Sequence, residues 1–190
     1  MKQMRGFTLT EIMMTIAVLG ILAVWAVPSF RNIILNNSLI SYSNELSGSL
    51  MFARSEAVTR RKDVTLCASA NGSTCNAANQ WNRGWIIFID ENGDGARATA
   101  PANGETLLHT GDEPDATLTI QGAGFANDYI SYDQRGRLKG LDTGSLVICD
   151  PRGANFARAV NITASGRAES ARDTDNNGIV NNMGDVTCPL

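Results

Sequence analysis

Apolar residues run almost unbroken from position 7 to position 27, and Glu11 is the one charge among them. These 21 residues would form a helix of roughly 31 Å at ~1.5 Å per residue, matching a bilayer hydrocarbon core of about 30 Å. Beyond Pro28 the apolar positions thin out but keep a helical period. Ile33, Ile34, Leu39, Ile40, Leu46, Leu50, Met51, Ala57 and Val58 recur at steps of three, four and seven. This predicts an amphipathic continuation over 28–62, with Pro28 as the point where the helix should kink. Glu56 and Arg60 are spaced to pair along that helix, and Arg60, Arg61 and Lys62 put cations at its negative end.

After Lys62 the period changes to alternation. Candidate strands are 64–68, 85–90, 106–109, 117–121, 129–133, 145–149 and 159–164, separated by Gly, Asn, Asp and Pro clusters that read as turns. No helix-length pattern interrupts them, so the connections should be antiparallel. The expected class is α+β: one long N-terminal helix, transmembrane in its first half, whose outer half packs on an antiparallel β-sheet. Trp81 and Trp85 are expected in the helix–sheet core. No repeat and no second globular domain is visible.

Composition narrows the class. At 190 residues, with 43% hydrophobic and 18% charged, the chain fits one domain plus an anchor, neither disordered nor multi-spanning. The net charge of −3 hides an asymmetry. Lys2 and Arg5 precede the apolar run; the rest holds 14 basic against 19 acidic residues, a balance of −5. Bulk charge therefore does not describe a nucleic-acid binder. Cys67, Cys75, Cys149 and Cys188 all follow the apolar segment, with spacings that fit no zinc pattern. An even count in an exported domain points to disulfides. Three pairings are open; the favoured one joins Cys67 to Cys75 around a small Asn/Gly/Ser loop and Cys149 to Cys188 near the C-terminus.

Glu11 needs a partner, because an ionised group inside an apolar membrane segment is tolerated only when paired. A cleavable secretory signal, cut near Ala23 or Ala26, would have an apolar run of about 7–15 residues, shorter than this one. A plain anchor with Lys2 and Arg5 held inside leaves the carboxylate unexplained. The run Gly6-Phe7-Thr8-Leu9-Thr10-Glu11 resembles the class III signal of type IV pilins and type II secretion pseudopilins. The resemblance implies cleavage by a prepilin peptidase between Gly6 and Phe7 and N-methylation of Phe7. Glu11 would then be the fifth residue of the mature chain, paired with its own or a neighbour's N-terminus. Pro28 would follow the assembly helix. The implied organisation is a leader at 1–6, a transmembrane and assembly helix at 7–27, its amphipathic half at 28–62 and a β-rich head at 63–190.

A second resemblance lies in Gly84-Trp85-Ile86-Ile87-Phe88-Ile89-Asp90-Glu91-Asn92-Gly93-Asp94-Gly95, in Gly104-Glu105-Thr106-Leu107-Leu108, and in Gly166-Arg167 after the strand at 159–164. These are similar to the GspH/FimT family of minor pilins and pseudopilins. The family implies the type IV pilin fold and a minor pilin of a priming or tip complex, supporting pilus assembly and pilus-dependent motility, adhesion or DNA uptake. A type II secretion pseudopilin is the alternative, and a DNA-receptor pilin for transformation a further one. Implied partners are major and minor pilins, the prepilin peptidase and the inner membrane, with no cofactor and no small-molecule substrate. The implied location is the inner membrane as prepilin and then the cell-surface pilus, with the head in the periplasm or outside.

Two loops carry calcium-like spacing. Asp90-x-Asn92-x-Asp94-Gly95 has Pro101 at the twelfth position, and Glu105 falls four residues late. Asp173-x-Asp175-x-Asn177-Gly178 has Gly184 there, followed by Asp185. Both are expected to be ordered turns, with no metal. Basic residues gather late, at Arg135, Arg137, Lys139, Arg152, Arg158, Arg167 and Arg172. Some family members bind DNA through a C-terminal Gly-Arg-x-Arg loop. Here Gly166-Arg167-Ala168 leads to Glu169, an acid opposed to phosphate, while Gly136-Arg137-Leu138-Lys139 is closer in charge but elsewhere in chain order. Arg167, Arg172, Arg137 and Lys139 are the candidate DNA contacts; an ordinary solvated surface is the favoured expectation. An enzyme is not expected: His109 is the lone histidine, and no nucleophile elbow, metal-binding His pair or phosphate loop is present.

Overall fold

A single helix, α1 (Leu9–Arg60), occupies the stretch whose apolar pattern has helical period. The computed structural model describes residues 7–76, 81–99, 104–114, 117–125, 128–140, 143–181 and 186–188. Lys2, Arg5, Gly6, Pro101, Gly184 and Asp185 lie outside the described residues. The chain divides into two compact units, Met1–Asn37 and Ser38–Leu190. The helix starts where Thr8 accepts the backbone N–H of Glu11 on its side-chain oxygen at 3.3 Å. Thr8 and Glu11 thus have the spacing of a capping box. It ends at Arg60, beside Glu56, its ion-pair partner one turn back, and Arg61 follows in the left-handed region at φ 54°. Pro28 lies within the helix.

In the second unit α1 buries Leu39, Ser43, Leu46, Ser49, Leu50, Ala53 and Ala57. The apolar pattern is only partly the packed face. Leu39, Leu46, Leu50 and Ala57 are buried, whereas Ile33, Ile34, Ile40, Met51 and Val58 are exposed. Two buried positions are serines, and Ser49 accepts the indole N–H of Trp85 at 3.0 Å. That bond lets a fully buried tryptophan sit against the helix without an orphaned donor. Gly111 completes the seat, since a Cβ there would overlap the Trp85 ring.

Among the described residues eight strands follow: β1 (Val64–Ala68), β2 (Trp85–Ile89), β3 (Leu107–Gly111), β4 (Thr119–Ala123), β5 (Tyr129–Tyr132), β6 (Gly144–Cys149), β7 (Arg158–Ile162) and β8 (Ala168–Ser170). The expected single sheet is two four-stranded antiparallel sheets, β3-β2-β1-β5 and β4-β6-β7-β8. The pairings β1–β5 and β4–β6 are non-local, and no short-range signal decides them. Strand β8 was not expected. It forms because the turn from Thr163 to Arg167 reverses the chain, with Gly166 at φ 78° and the Thr163 N–H bonded to the Arg167 carbonyl.

Both sheets are covered on both faces. Leu66, Trp85, Ile87, Ile130, Tyr132, Ile120, Leu146, Ile148, Val160 and Ile162 share one core with α1, each large side chain worth roughly 1.5–3 kcal/mol of burial. Cys67, Ile86 and Phe88 face away from it and pack with Cys75, Leu107 and Tyr129. Val147, Cys149 and Ala159 likewise pack with Ile179, Val180, Val186 and Cys188. The strands Trp85–Ile89 and Gly144–Cys149 are therefore buried at every position. Cys67 is bonded to Cys75 and Cys149 to Cys188, so each disulfide pins the segment that covers its sheet's outer face.

Candidate functional site

From position 7 to position 34 every side chain is exposed, including the apolar ones. The helix carrying them is long and apolar enough to cross a membrane. Glu11 and Arg31 are the charges on this otherwise largely apolar surface, and burial of such a surface by lipid or other apolar helices is favourable. Phe7 stands at the start, 82% exposed. Glu11 lies in the first turn of α1, where aligned peptide dipoles favour a negative charge. Gly6, the other half of the expected cleavage site, is outside the described residues.

The calcium-like loops are turns whose side-chain oxygens bond largely within the turns themselves, although Asp173 Oδ1 has no partner. Asp90, 3% exposed, accepts the Thr65 hydroxyl at 2.7 Å and the backbone N–H groups of Gly93 and Gly95 at 2.6 and 3.1 Å. Asn92 and Asp94 bond within the same turn. In the second loop Asp173 accepts the Gly178 N–H at 2.8 Å, Asp175 bonds Asn177, and Asn177 accepts the Ile179 N–H. The Gly178 N–H is the main cause holding the Asp173 carboxyl below its usual range. Among the described residues no cluster of three or more His, Cys, Asp or Glu is placed to hold a metal ion.

The structure brings together two turns that are far apart in sequence. In the first, Asp133 accepts the backbone N–H groups of Arg135 and Arg137 at 2.9 Å each, and pairs with the Arg137 side chain at 3.1 Å. Burial opposes ionisation of Asp133, but those N–H groups and the Arg137 guanidinium outweigh it and hold its carboxyl below the usual range. The second turn is Thr163 to Arg167. The Leu138 N–H reaches the Ala164 carbonyl at 3.2 Å, and Arg54 of α1 bonds the carbonyls of Gly136 and Ser165 at 2.8 and 3.1 Å. A Cβ at Gly166 would run into the Gly136 carbonyl, so the contact demands glycine. Sequence reading singled out both Gly-Arg pairs but neither their contact nor Arg54, because a side chain clamping distant carbonyls leaves no motif.

The candidate DNA contacts are mostly partnered. Arg137 pairs with Asp133, Arg167 with Glu169 at 2.8 Å, and Lys139 with Asp63 at 2.8 Å. The bond to Asp63 raises the Lys139 pKa. Arg172 is exposed. Arg152 is withdrawn from the surface: it pairs with Asp150, whose side chain is fully buried, and lies 4.1 Å over the Phe156 ring. His109 is in β3, edge-on to Phe52 at 5.8 Å. Burial pushes the Tyr132 phenol up, and its hydroxyl has no hydrogen-bond partner.

A family model for type II transport protein GspH matches residues 43–166. A second, for the prokaryotic N-terminal methylation motif, matches residues 1–27. No curated protein matches the chain significantly. Among solved structures, the type IV minor pilin FimU of Pseudomonas aeruginosa is similar at 25% identity and TM-score 0.55, covering 72% of this chain and 90% of that one. A second crystal form of FimU gives 22% identity and TM-score 0.54, covering 70% of this chain and 93% of that one. The minor pseudopilin EpsH of Vibrio cholerae gives 11% identity and TM-score 0.43, covering 70% and 95%. A helix-and-sheet head matched over more than half the chain, following a methylation motif, assigns the chain to the GspH family of minor pilins and pseudopilins, structural proteins that assemble with other pilins.

Proposed function

We propose that this chain is a minor pilin of a type IV pilus, acting in the priming or tip complex. The observation that carries the reading is the wholly exposed apolar helix surface from position 7 to 34, with its single carboxylate in the first turn, inside the methylation motif. The helix at 7–27 inserts in the inner membrane, the prepilin peptidase cuts between Gly6 and Phe7, and the new Phe7 amine is methylated. Glu11 then pairs with that ammonium, its own or a neighbour's, as the helix leaves lipid for a bundle of other pilin helices. The amphipathic part at 28–62 joins it to the head at 63–190, which stands in the periplasm and then outside the cell. The likeness to FimU, a type IV minor pilin, supports the pilus assignment.

The matching family model is described as a type II transport protein, which favours a pseudopilin of a secretion system as the second reading. One experiment separates the two. With the gene deleted and then restored as a tagged copy, the proposal expects loss of surface pili, their recovery on complementation, and the tag in sheared pili. Intact piliation together with loss of protein secretion would establish the second reading instead. DNA uptake is the least favoured role, since Glu169 and Asp133 neutralise the arginines that would meet phosphate.

A further inference from the structure

A cleft of about 130 Å³ opens beside β5, and its lining includes Gly93, Phe125, Tyr129, Ser131 and Lys139. Glycines hold three of these side chains in place. The Tyr129 ring occupies the space that a Cβ at Gly95 would need, and the Lys139 ammonium does the same over Gly93. The Phe125 ring lies against Gly144 in the same way. Tyr129 also packs with Cys67, Ile86 and Phe88 on the outer face of its sheet. The lining is therefore ordered in advance, which spares a ligand the entropy of ordering it.

The polar groups of the cleft set a donor beside an acceptor. Asp90 takes the single hydroxyl proton of Thr65 at 2.7 Å, so the Ser131 hydroxyl, 2.9 Å from that of Thr65, donates to it. Ser131 is 4% exposed, and its oxygen is left to accept. Lys139 gives one N–H to Asp63 at 2.8 Å and has two more to offer. A hydroxyl group, which gives and takes a bond, matches both. Charge selects against an anion. Lys139 is the one cation among the described lining residues. Asp63 neutralises it, and the Asp90 carboxylate, bonded to the Gly93 N–H at 2.6 Å, adds a second negative charge. The neighbouring bases Lys62 and Arg137 pair with Glu91 and Asp133, and Arg135 lies in a separate groove with Asp63 and Asp133.

We propose that this cleft binds one pyranose ring of a saccharide, its C–H face against Tyr129 and Phe125 and its hydroxyls on Lys139 and Ser131. Aromatic faces beside a few placed polar groups are the make-up of a small-molecule site. The cavity is smaller than the roughly 300–1,000 Å³ of drug-sized sites, so it takes a single ring. An extended peptide does not fit. The outer edge of β5 is closed by Leu138, which bridges to Tyr132, and by the Lys139 N–H, bonded to the Ser131 carbonyl at 2.8 Å. The proposal goes beyond the pilin reading by giving the head a ligand, and it is the same for a pilus and a pseudopilus.

The test uses the full chain in a detergent without a sugar headgroup and saturation-transfer NMR. The probes are the methyl glycosides of glucose, galactose, mannose and N-acetylglucosamine, with inorganic phosphate as the anion control. At least one glycoside is expected to bind with a Kd of about 1 mM. Lys139→Met keeps the stem and removes the donors, at a position that is exposed. Tyr129→Leu keeps an apolar side chain against Gly95 and removes the ring. Each should raise Kd roughly tenfold, with the thermal midpoint measured alongside to show that the variant is folded. Displacement of the bound glycoside by a detergent-dispersed glycolipid of that sugar, or by its soluble oligosaccharide, separates a membrane glycan from a free one; either supports the assignment. The proposal is overturned if no glycoside receives saturation, whether or not phosphate binds in its place. It is equally overturned if folded Lys139→Met binds as tightly as the parent. Both outcomes leave cleavage at Gly6 and the pilin reading untouched.

Discussion

Replacing Glu11 with Ala should leave the chain cleaved and membrane-bound but lower its recovery in assembled fibres roughly thirtyfold, the equivalent of about 2 kcal/mol. The proposed cleavage would create an ammonium at Phe7 within the positive end of a helix, and both would lose their counter-charge when the carboxylate goes. An unpaired charge among apolar helices costs on the order of 2.5–3.5 kcal/mol at the segment centre and less near its end. Glu11 has a second job to be separated from the first, because with Thr8 it has the spacing of a capping box. Glu11→Gln keeps an oxygen able to close the box and removes the charge. The account expects Gln to fail nearly as badly as Ala in immunoblots of sheared fibres against membranes. Assembly of Glu11→Gln at the parental level would reduce Glu11 to a helix cap.

Removing the Cys149–Cys188 bond by paired Ser substitutions should cost about 4 kcal/mol, against about 2.5 kcal/mol for Cys67–Cys75, on the chain-entropy account. The sequence separations are 39 and 8 residues, and the longer loop loses more freedom when closed. The structural consequence is specific. Without Cys188 anchored, Ile179, Val180 and Val186 lose their hold over Val147 and Ala159, so sheet β4-β6-β7-β8 exposes its outer face. Urea unfolding of the full chain in detergent measures the two costs, and limited proteolysis should cut first within 171–181. Equal losses at the two bonds would show that loop length does not set the stabilisation. No loss at Cys149–Cys188 would show that packing alone holds the segment.

Local patterns were legible, and long-range choices were not. The helix from Leu9 to Arg60 follows from a sustained period and a basic end, and β1, β2, β5, β6 and β7 from short apolar or alternating runs bounded by turn residues. Strand β8 has three residues, Ala168, Glu169 and Ser170, with no alternation to read; it exists because a glycine turn returns the chain to β7. Which strands share a sheet depends on pairings such as Val64 with Tyr132, and no local spacing encodes them. Periodicity grouped the apolar positions on the outer half of α1 into one pattern, of which Leu39, Leu46, Leu50 and Ala57 are buried and Ile33, Ile34, Ile40, Met51 and Val58 exposed. The buried face also contains Ser43 and Ser49, and Ser49 is tolerated there because it accepts the Trp85 indole N–H.

The candidate site divides the same way. The leader is legible because its chemistry sits in six consecutive positions, Gly6 to Glu11. The acidic turns were legible as turns, and the structure gives the reason they hold their shape: Asp90 accepts the N–H groups of Gly93 and Gly95, and Asp173 Oδ2 that of Gly178. The meeting of Gly136 with Gly166 under Arg54 was not legible, because a side chain bonding carbonyls distant in sequence leaves no local pattern.

Intact-mass analysis of the mature protein, purified from membranes under non-reducing conditions, tests the central claim most directly. The account predicts a species comprising residues 7–190, carrying one added methyl group on Phe7 and two intact disulfides. A species that still carries residues 1–6, or one that begins after the apolar segment near Ala23 or Ala26, would contradict it.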